Sequence, residues 1–368
     1  MRAKNMKKSS LDTANPIKVL CINPGYSLIR HLDLYKTKKY QAHLLYGVNG
    51  LEKWGLKPVF EEDYKENVSQ LKSNWRSFLA AKRTDCDCIY VPFIDWGIII
   101  AIGRKIGLIK KPVVALAHGY KKHATSTSSN RYKKAIVNGF RKIVYKCPDK
   151  LIFISKYAFE EYIKENTKSS RVGYLSLQPE IMKMQDDTPS ISLLSVGKTN
   201  RDYKPVLEFG QEHTECRVCV IGYKPEKSDC YPGNIQFVDK FMYLDELEKY
   251  YRSTEIVLVP VQETNGGVYG LSSLLDAISF CKPILVSKTE GLEIDVESEG
   301  IGETYECGNC DEFADAYDKL KKEYHIYVSN IDEYVKRFNN DVFCKSISEQ
   351  IVESTLAYYS AKSSTYCN

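Results

Sequence analysis

No stretch of this 368-residue chain stays apolar for the roughly 18–20 residues that a membrane-spanning helix needs. The longest apolar region, around Ile98 to Ile102, is broken by Asp95, Gly97, Gly103 and Arg104. The N-terminus MRAKNMKKSS is basic, but the apolar core of a secretory signal does not follow it. These absences point to a cytoplasmic chain, at most peripheral on the inner face of a membrane. One CxxC, Cys307-Gly308-Asn309-Cys310, has no second CxxC or paired-histidine motif to complete it. No metal centre is therefore expected there, and a bend after a strand is. Neither a Ser/His/Asp nor a Cys/His arrangement offers a covalent nucleophile. The 12 cysteines lie mostly inside expected strands or helices, as Cys21, Cys216, Cys219 and Cys281 do, and read as small buried hydrophobes in a reducing compartment.

Hydrophobic residues at 43% and charged residues at 27% are usual for a globular protein, and 368 residues exceed one ordinary core, so two domains are expected. Net charge is only +5, yet it is unevenly spread. Residues 1–180 hold 33 basic and 15 acidic side chains, a balance of +18; the remainder holds 19 and 32, a balance of −13. Such a first domain suits an anionic partner: a membrane surface, a phospholipid-linked acceptor or a nucleic acid. Mutual attraction of two oppositely charged domains would leave the same pattern.

Behind a basic, mobile lead at 1–15, residues 17–23 read as a buried strand. Pro24-Gly25 follows it, where an α/β domain places a ligand loop. Further strands are expected at 42–48, 88–93, 112–117 and 151–154, with a charged helix over 61–81. Asp95 and Ser155 are candidate N-caps for the helices after them. Strands alternating with helices argue for a parallel sheet covered on both faces, with ligands beyond the carboxyl ends of its strands. His118 stands at such an end, unlike His31, His43, His213 and His325, although a loop histidine bonded to its neighbours would look the same. A polar loop at 125–130 leads into a helix carrying Arg131, Lys133, Lys134, Arg141, Lys142 and Lys146, opposite Ile136, Val137, Phe140, Ile143 and Val144. A basic amphipathic helix of this kind can lie on anionic lipid, or pack on its own sheet with solvated lysines. The aperiodic stretch between Pro179 and Pro189 reads as a hinge at 181–190. A second alternation follows, with strands at 191–196, 216–221, 235–238, 255–261 and 283–287. Helices fit 204–212, 245–252, 312–323 and much of 332–359.

The second half is organised around 255–288, EIVLVPVQETNGGVYGLSSLLDAISFCKPILVSK. Ile256, Val257, Leu258, Val259 and Val261 form the continuous apolar run of a strand buried on both faces. Asn265, Gly266, Gly267 and Gly270 supply turn conformations and bare N–H groups. Leu271, Leu274, Leu275 and Ile278 make a helical stripe, and Lys282-Pro283 ends the helix. A glycine loop feeding a helix N-terminus is a natural seat for phosphate, because unpaired N–H groups and the helix dipole point the same way. Asp276 lies about 140° around the helix from Leu271, off that stripe, facing a cleft or solvent.

On these residues the stretch 191–320 resembles the nucleotide-sugar-binding domain of a GT-B glycosyltransferase, most similar to the retaining group called glycosyltransferase family 4. SVGKTNRDYK at 195–204, VCVIGYKP at 218–225, the block from Ile235 to Glu263 and GLSSLLDAISFCKPILVSKTEGLEI at 270–294 carry the resemblance, in that order. The first half matches only through its strand order and His118. The resemblance implies a basic pair that grips the donor's phosphates, usually Arg then Lys. Lys198 takes the first position without the bidentate fork of Arg. Arg201 is preferred over Lys204 for the second. It also implies two acidic residues. Asp276, one methylene shorter than the usual Glu, matches the one that holds ribose hydroxyls. Glu263 is the candidate for the one beside the donor sugar, although 12 residues separate it from Asp276, more than usual.

The resulting expectation is an α/β chain of two Rossmann-like, doubly wound parallel-sheet domains facing a cleft. Residues 16–180 form an acceptor-binding domain and 191–340 a nucleotide-sugar-binding domain, with a helix at 341–368 that packs back on the first. The implied activity is retaining transfer of a sugar from a nucleotide-sugar donor to a glycan or lipid-linked acceptor in surface glycan synthesis, without metal, cofactor or nucleic acid. His118, Glu263, Lys198 and Arg201 are the candidate catalytic residues. Gly25, Gly197, Gly222, Gly266, Gly267, Val268, Tyr269, Gly270, Leu271 and Asp276 join Lys198 and Arg201 around the donor. Arg131, Lys133, Lys134, Arg141 and Lys142 would form an acceptor or anionic-membrane surface. A nucleotide-sugar epimerase and a non-catalytic GT-B scaffold subunit are the alternatives.

Overall fold

A computed structural model describes residues 16–61, 69–120, 131–166, 169–182, 188–224, 231–262 and 269–365. The basic lead 1–15, the loop 125–130 and the candidate residues Glu263, Gly266, Gly267 and Val268 lie outside them. Two compact units divide the chain. Unit 1 is Met1–Lys36, Leu45–Leu177 and Asp341–Asn368; unit 2 is Thr37–Leu44 and Gln178–Asn340. Residues 37–44 thus group with unit 2, although the sequence places them within the N-terminal domain.

Unit 1 alternates β1 (Ile17–Cys21), α1 (Leu28–Lys36), β2 (Leu56–Phe60), α2 (Gln70–Arg83), β3 (Cys88–Val91), α3 (Ile98–Lys105), β4 (Val113–Ala117), α4 (Arg131–Val144), β5 (Lys150–Phe153), α5 (Lys156–Glu165) and β6 (Val172–Tyr174). The strands form one parallel sheet in the order β2-β1-β3-β4-β5-β6. Every residue of β3 and β4 is buried, as their unbroken apolar runs require of strands covered on both faces. Two expectations fail here. No strand forms at 42–48, where Tyr46 and Gly47 take positive φ (51° and 85°) between two short 3-10 turns. The strand comes instead at Leu56–Phe60, where Pro58 is tolerated because β2 is a sheet edge. Nor does Asp95 cap α3, which starts after Gly97 without a side-chain cap. Ser155 does cap α5, its hydroxyl accepting from the Ala158 N–H at 3.1 Å.

Unit 2 alternates β7 (Ile191–Val196), α6 (Lys204–Glu212), β8 (Val218–Ile221), β9 (Ile235–Val238), α7 (Leu244–Arg252), β10 (Thr254–Val259), α8 (Leu271–Ser279), β11 (Ile284–Ser287), β12 (Gly302–Tyr305), α9 (Cys310–Lys322) and α10 (Tyr324–Arg337). Its sheet is also wholly parallel, ordered β12-β11-β10-β7-β8-β9. The CxxC forms the expected bend between β12 and α9, with Gly308 at φ 78°. The last helix, α11 (Asn340–Thr365), belongs to unit 1 from Asp341 onward. In each sheet the strand order reverses once, between β1 and β3 and between β7 and β10. Crevices for ligands open beyond the carboxyl ends of strands at such reversals.

Candidate functional site

At the β7/β10 reversal the loop after β7 doubles back on the end of β10. The Asp202 N–H donates to the Pro260 carbonyl (2.7 Å), the Gln262 N–H to the Asn200 carbonyl (3.0 Å), and Arg201 bridges Val261 antiparallel. This turn needs Asn200 at φ 51° and Gly197 at φ 145°. A Cβ on Gly197 would also run into the Arg201 guanidinium, so the glycine both makes the turn and leaves room for the cation. Behind Gly197 lies Gly222, at φ 90°, whose N–H donates to the Val238 carbonyl at 2.9 Å.

Arg201 is the cation at the centre of this site. Its Nη1 donates to the Thr199 carbonyl (3.0 Å), and its Nη2 to the Ser273 hydroxyl (3.2 Å) and the Val196 carbonyl (3.5 Å). Its Nε is buried with no hydrogen-bond partner. Ser273, on the first turn of α8, donates to the Val196 carbonyl at 2.8 Å and so fixes the guanidinium against the helix N-terminus. Burial holds the guanidinium below its usual pKa, and the ionisable groups that act on it among the described residues are the phenols of Tyr203, Tyr251 and Tyr305. Among the described residues, the groups that hold this half-buried cation are neutral acceptors, one of them on the first turn of a helix.

The helix itself offers the second half of such a site. Gly270 is its N-cap, at φ 81°, with no side-chain cap, and Cβ growth there is blocked by Val259 and Val261. Tyr269 is half-buried and Leu271 buried beside it. Lys198 is exposed in the loop. Lys204 lies on the first turn of α6, 3.7 Å from Glu208.

Asp276 departs from its expected exposure. All but one residue of α8 is buried, Asp276 among them at 5% exposure, because the helix is covered on more faces than its leucine stripe indicates. Tyr251 donates to its Oδ2 at 3.3 Å and Gln41 at 3.4 Å, while the Nε2 of His43 stands 3.9 Å from Oδ1. With no cation to offset burial, its pKa rises to about 7. Nothing at sequence level marks Gln41, His43 or Tyr251 as its neighbours, since they come from distant segments.

In unit 1 the β1/β3 reversal carries Gly25, whose N–H donates to Asn23 Oδ1 at 3.0 Å and whose Cα is covered by the Trp96 indole. His118 stacks on Phe93 with centroids 3.7 Å apart and meets the edge of Tyr46 at 4.7 Å. Its Nε2 lies 2.9 Å from the Pro92 carbonyl, and burial lowers its pKa to about 4, so the ring is neutral and donates this bond. Of the basic residues on α4, Arg141 is turned inward. It donates to Asp95 at 2.6 Å, and Tyr145 donates to the same carboxylate at 3.1 Å. Lys142 pairs with Glu165 at 2.8 Å. The side chains of Arg131, Lys133 and Lys134 are outside the described residues. Tyr132, Ile136, Phe140 and Ile143 are exposed at 81%, 73%, 44% and 63%, so much of the apolar stripe of α4 faces away from the sheet rather than onto it. No group of three His, Cys, Asp or Glu side chains that could hold a metal ion occurs among the described residues, and no helix among them is long and apolar enough to cross a membrane.

No protein-family profile matches the sequence, and no curated protein does. Solved structures do. Sucrose-phosphate synthase from Thermosynechococcus elongatus superposes with a TM-score of 0.63 at 12% identity, covering 93% of this chain and 100% of that one. HepE from Anabaena, in complex with UDP and glucose, gives 0.60 at 12% identity over 92% and 100%. WaaG, a glycosyltransferase involved in lipopolysaccharide biosynthesis, gives 0.58 at 12% identity over 91% and 99%. The two parallel sheets of this chain thus have the GT-B fold.

Proposed function

We propose that the chain is a glycosyltransferase that moves a sugar from a nucleoside-diphosphate sugar to a glycan or lipid-linked acceptor, with retention, in surface glycan synthesis. The observation that carries this reading is Arg201, a half-buried guanidinium that has no carboxylate partner among the described residues, bonded at the β7/β10 reversal to Ser273 on the first turn of α8. A departing nucleoside diphosphate needs its growing negative charge stabilised, and a fixed cation beside bare amides does this without reorganisation. In this reading Arg201, Lys198 and the N–H groups around Gly197 and 266–271 take the diphosphate, and Asp276 takes the ribose. Glu263 and His118 stand by the sugar. The acceptor hydroxyl attacks the anomeric carbon on the face the diphosphate leaves. The carbon–oxygen bond to phosphate breaks as the new one forms, and the hydroxyl proton passes to the departing phosphate oxygen. The cationic side chains do the work of a divalent ion.

UDP and glucose in HepE and the lipopolysaccharide role of WaaG support a sugar-nucleotide donor and a cell-surface acceptor. The exposed apolar stripe of α4 supports contact with the inner face of a membrane, where lipid-linked acceptors reside. Incubation with radiolabelled sugar nucleotides, with and without membrane lipid extract, tests the reading. Label transferred to lipid or glycan, undiminished by EDTA, supports it. An isomerised sugar would mean an epimerase instead, and binding without turnover a scaffold.

A further inference from the structure

The buried carboxyl of Asp276, which accepts from Tyr251, is also met by residues 37–44, a segment with unit 1 residues on both sides in the chain but itself part of unit 2. Gln41 donates to Oδ2 of Asp276 at 3.4 Å. The N–H of Leu244, first residue of α7, donates to the Lys39 carbonyl at 3.1 Å, and the Lys39 ammonium lies 3.9 Å from Asp245. His43 is 2% exposed, yet its Nε2 has no hydrogen-bond partner, although it stands only 3.9 Å from Asp276 Oδ1. Burial keeps this imidazole uncharged, so it gives the carboxylate no counter-charge. Gln41, His43, Glu180, Asp276 and Ser279 line a cavity of about 10 Å³ at the contact. The buried imidazole nitrogen lacks a partner, and the buried carboxyl has hydrogen bonds but no cation beside it among the described residues. A contact built this way is costly to keep and favourable to exchange.

We propose that residues 37–44 form an autoinhibitory strap, which bonds Oδ2 of Asp276 and stands His43 against Oδ1 where the ribose diol of a nucleoside-diphosphate sugar would bond, so that donor binding displaces it. The strap rests on the reading of Asp276 as the ribose ligand. A nucleotide that binds the open form better than the closed one shifts the strap open. Its apparent affinity is reduced by the fraction of chains in which the strap is closed.

The test uses the full chain, UDP, GDP, ADP, CDP and dTDP as probes, and the variant Gln41→Ala, which removes one attachment and leaves the donor residues alone. Calorimetry should show at least one nucleotide binding Gln41→Ala roughly three- to tenfold more tightly than wild type, the effect of one ordinary hydrogen bond. In wild-type protein the same nucleotide should accelerate amide exchange at Leu44 and Leu244, whose N–H groups bond to the carbonyls of Gln41 and Lys39. This second readout needs no variant. Unchanged or weaker binding by Gln41→Ala, or strap amides that exchange no faster with nucleotide bound, overturns the strap while leaving the donor site in place. Failure of all five nucleotides to bind either protein overturns the donor site and the strap together.

Discussion

Asp276 and His43 show how burial sets protonation at this site. Asp276 rises from 3.8 to about 7 and His43 falls from 6.5 to about 3, both through desolvation. Folded protein therefore binds the carboxyl proton more tightly than unfolded chain does, so that contribution to stability is full below about pH 4 and is lost as pH rises to about 7. The histidine contribution runs the other way, being full above about pH 6.5 and lost as pH falls through about 3. Between about pH 4 and 6.5 the folded pair keeps one proton on Asp276 and the unfolded pair keeps one on His43, so the two slopes cancel. Asp276→Asn removes only the carboxyl. Its unfolding free energy should gain on that of wild type as pH rises from 4 to 7, by on the order of a few kcal/mol at one pKa unit per 1.4 kcal/mol, with a matching rise in relative melting temperature. A margin independent of pH would show that Asp276 titrates normally. Arg201 and the glycines around it were legible in the sequence, because a basic residue after a strand and glycines at turns are local signals. The partners of Asp276 were not, because a residue's neighbours across the fold leave no mark on its own helix periodicity.

Elements were legible in proportion to how far local pattern decides them. The fully buried strands β3, β4 and β8 are continuous apolar runs and were expected. The edge strand β2 was missed because Pro58 reads as a strand breaker unless the neighbouring position is known to be an edge. The turn 197–203 depends most on a single residue. Gly197→Ala must place a Cβ against the guanidinium at a φ of 145° that L-residues avoid. It should lower stability by about 1–3 kcal/mol and reduce nucleotide affinity at the same time; a variant equal to wild type in both would show that the loop has another route. Helix α4 makes its own prediction. Phe140→Asp and Ile136→Asp should each reduce sedimentation with anionic vesicles while leaving the melting temperature nearly unchanged, since both side chains are exposed. Wild-type binding should weaken with salt. Vesicle binding unaffected by either substitution would place membrane contact elsewhere. Neutralising Arg141, by contrast, should cost stability, because it removes the cation that donates to the half-buried Asp95 carboxylate.

At the scale of the whole molecule, two parallel sheets with one reversal each place a glycine turn at the carboxyl end of the first strand in both units, Gly25 after β1 and Gly197 after β7. Among the described residues, the second turn has the half-buried Arg201 guanidinium beside it, bonded through Ser273 to the first turn of α8, whose N-terminus has no side-chain cap. In the proposed reading the anion belongs to unit 2, and the basic balance of residues 1–180 is left for the acceptor or a membrane. The most direct measurement of the central claim is a calorimetric titration of nucleoside diphosphates into wild-type protein and Arg201→Ala. The account predicts that at least one diphosphate binds wild type and binds Arg201→Ala roughly 10–100-fold more weakly, the worth of a hydrogen bond to a charged group, with the variant still folded. Equal affinity for the two proteins would contradict it.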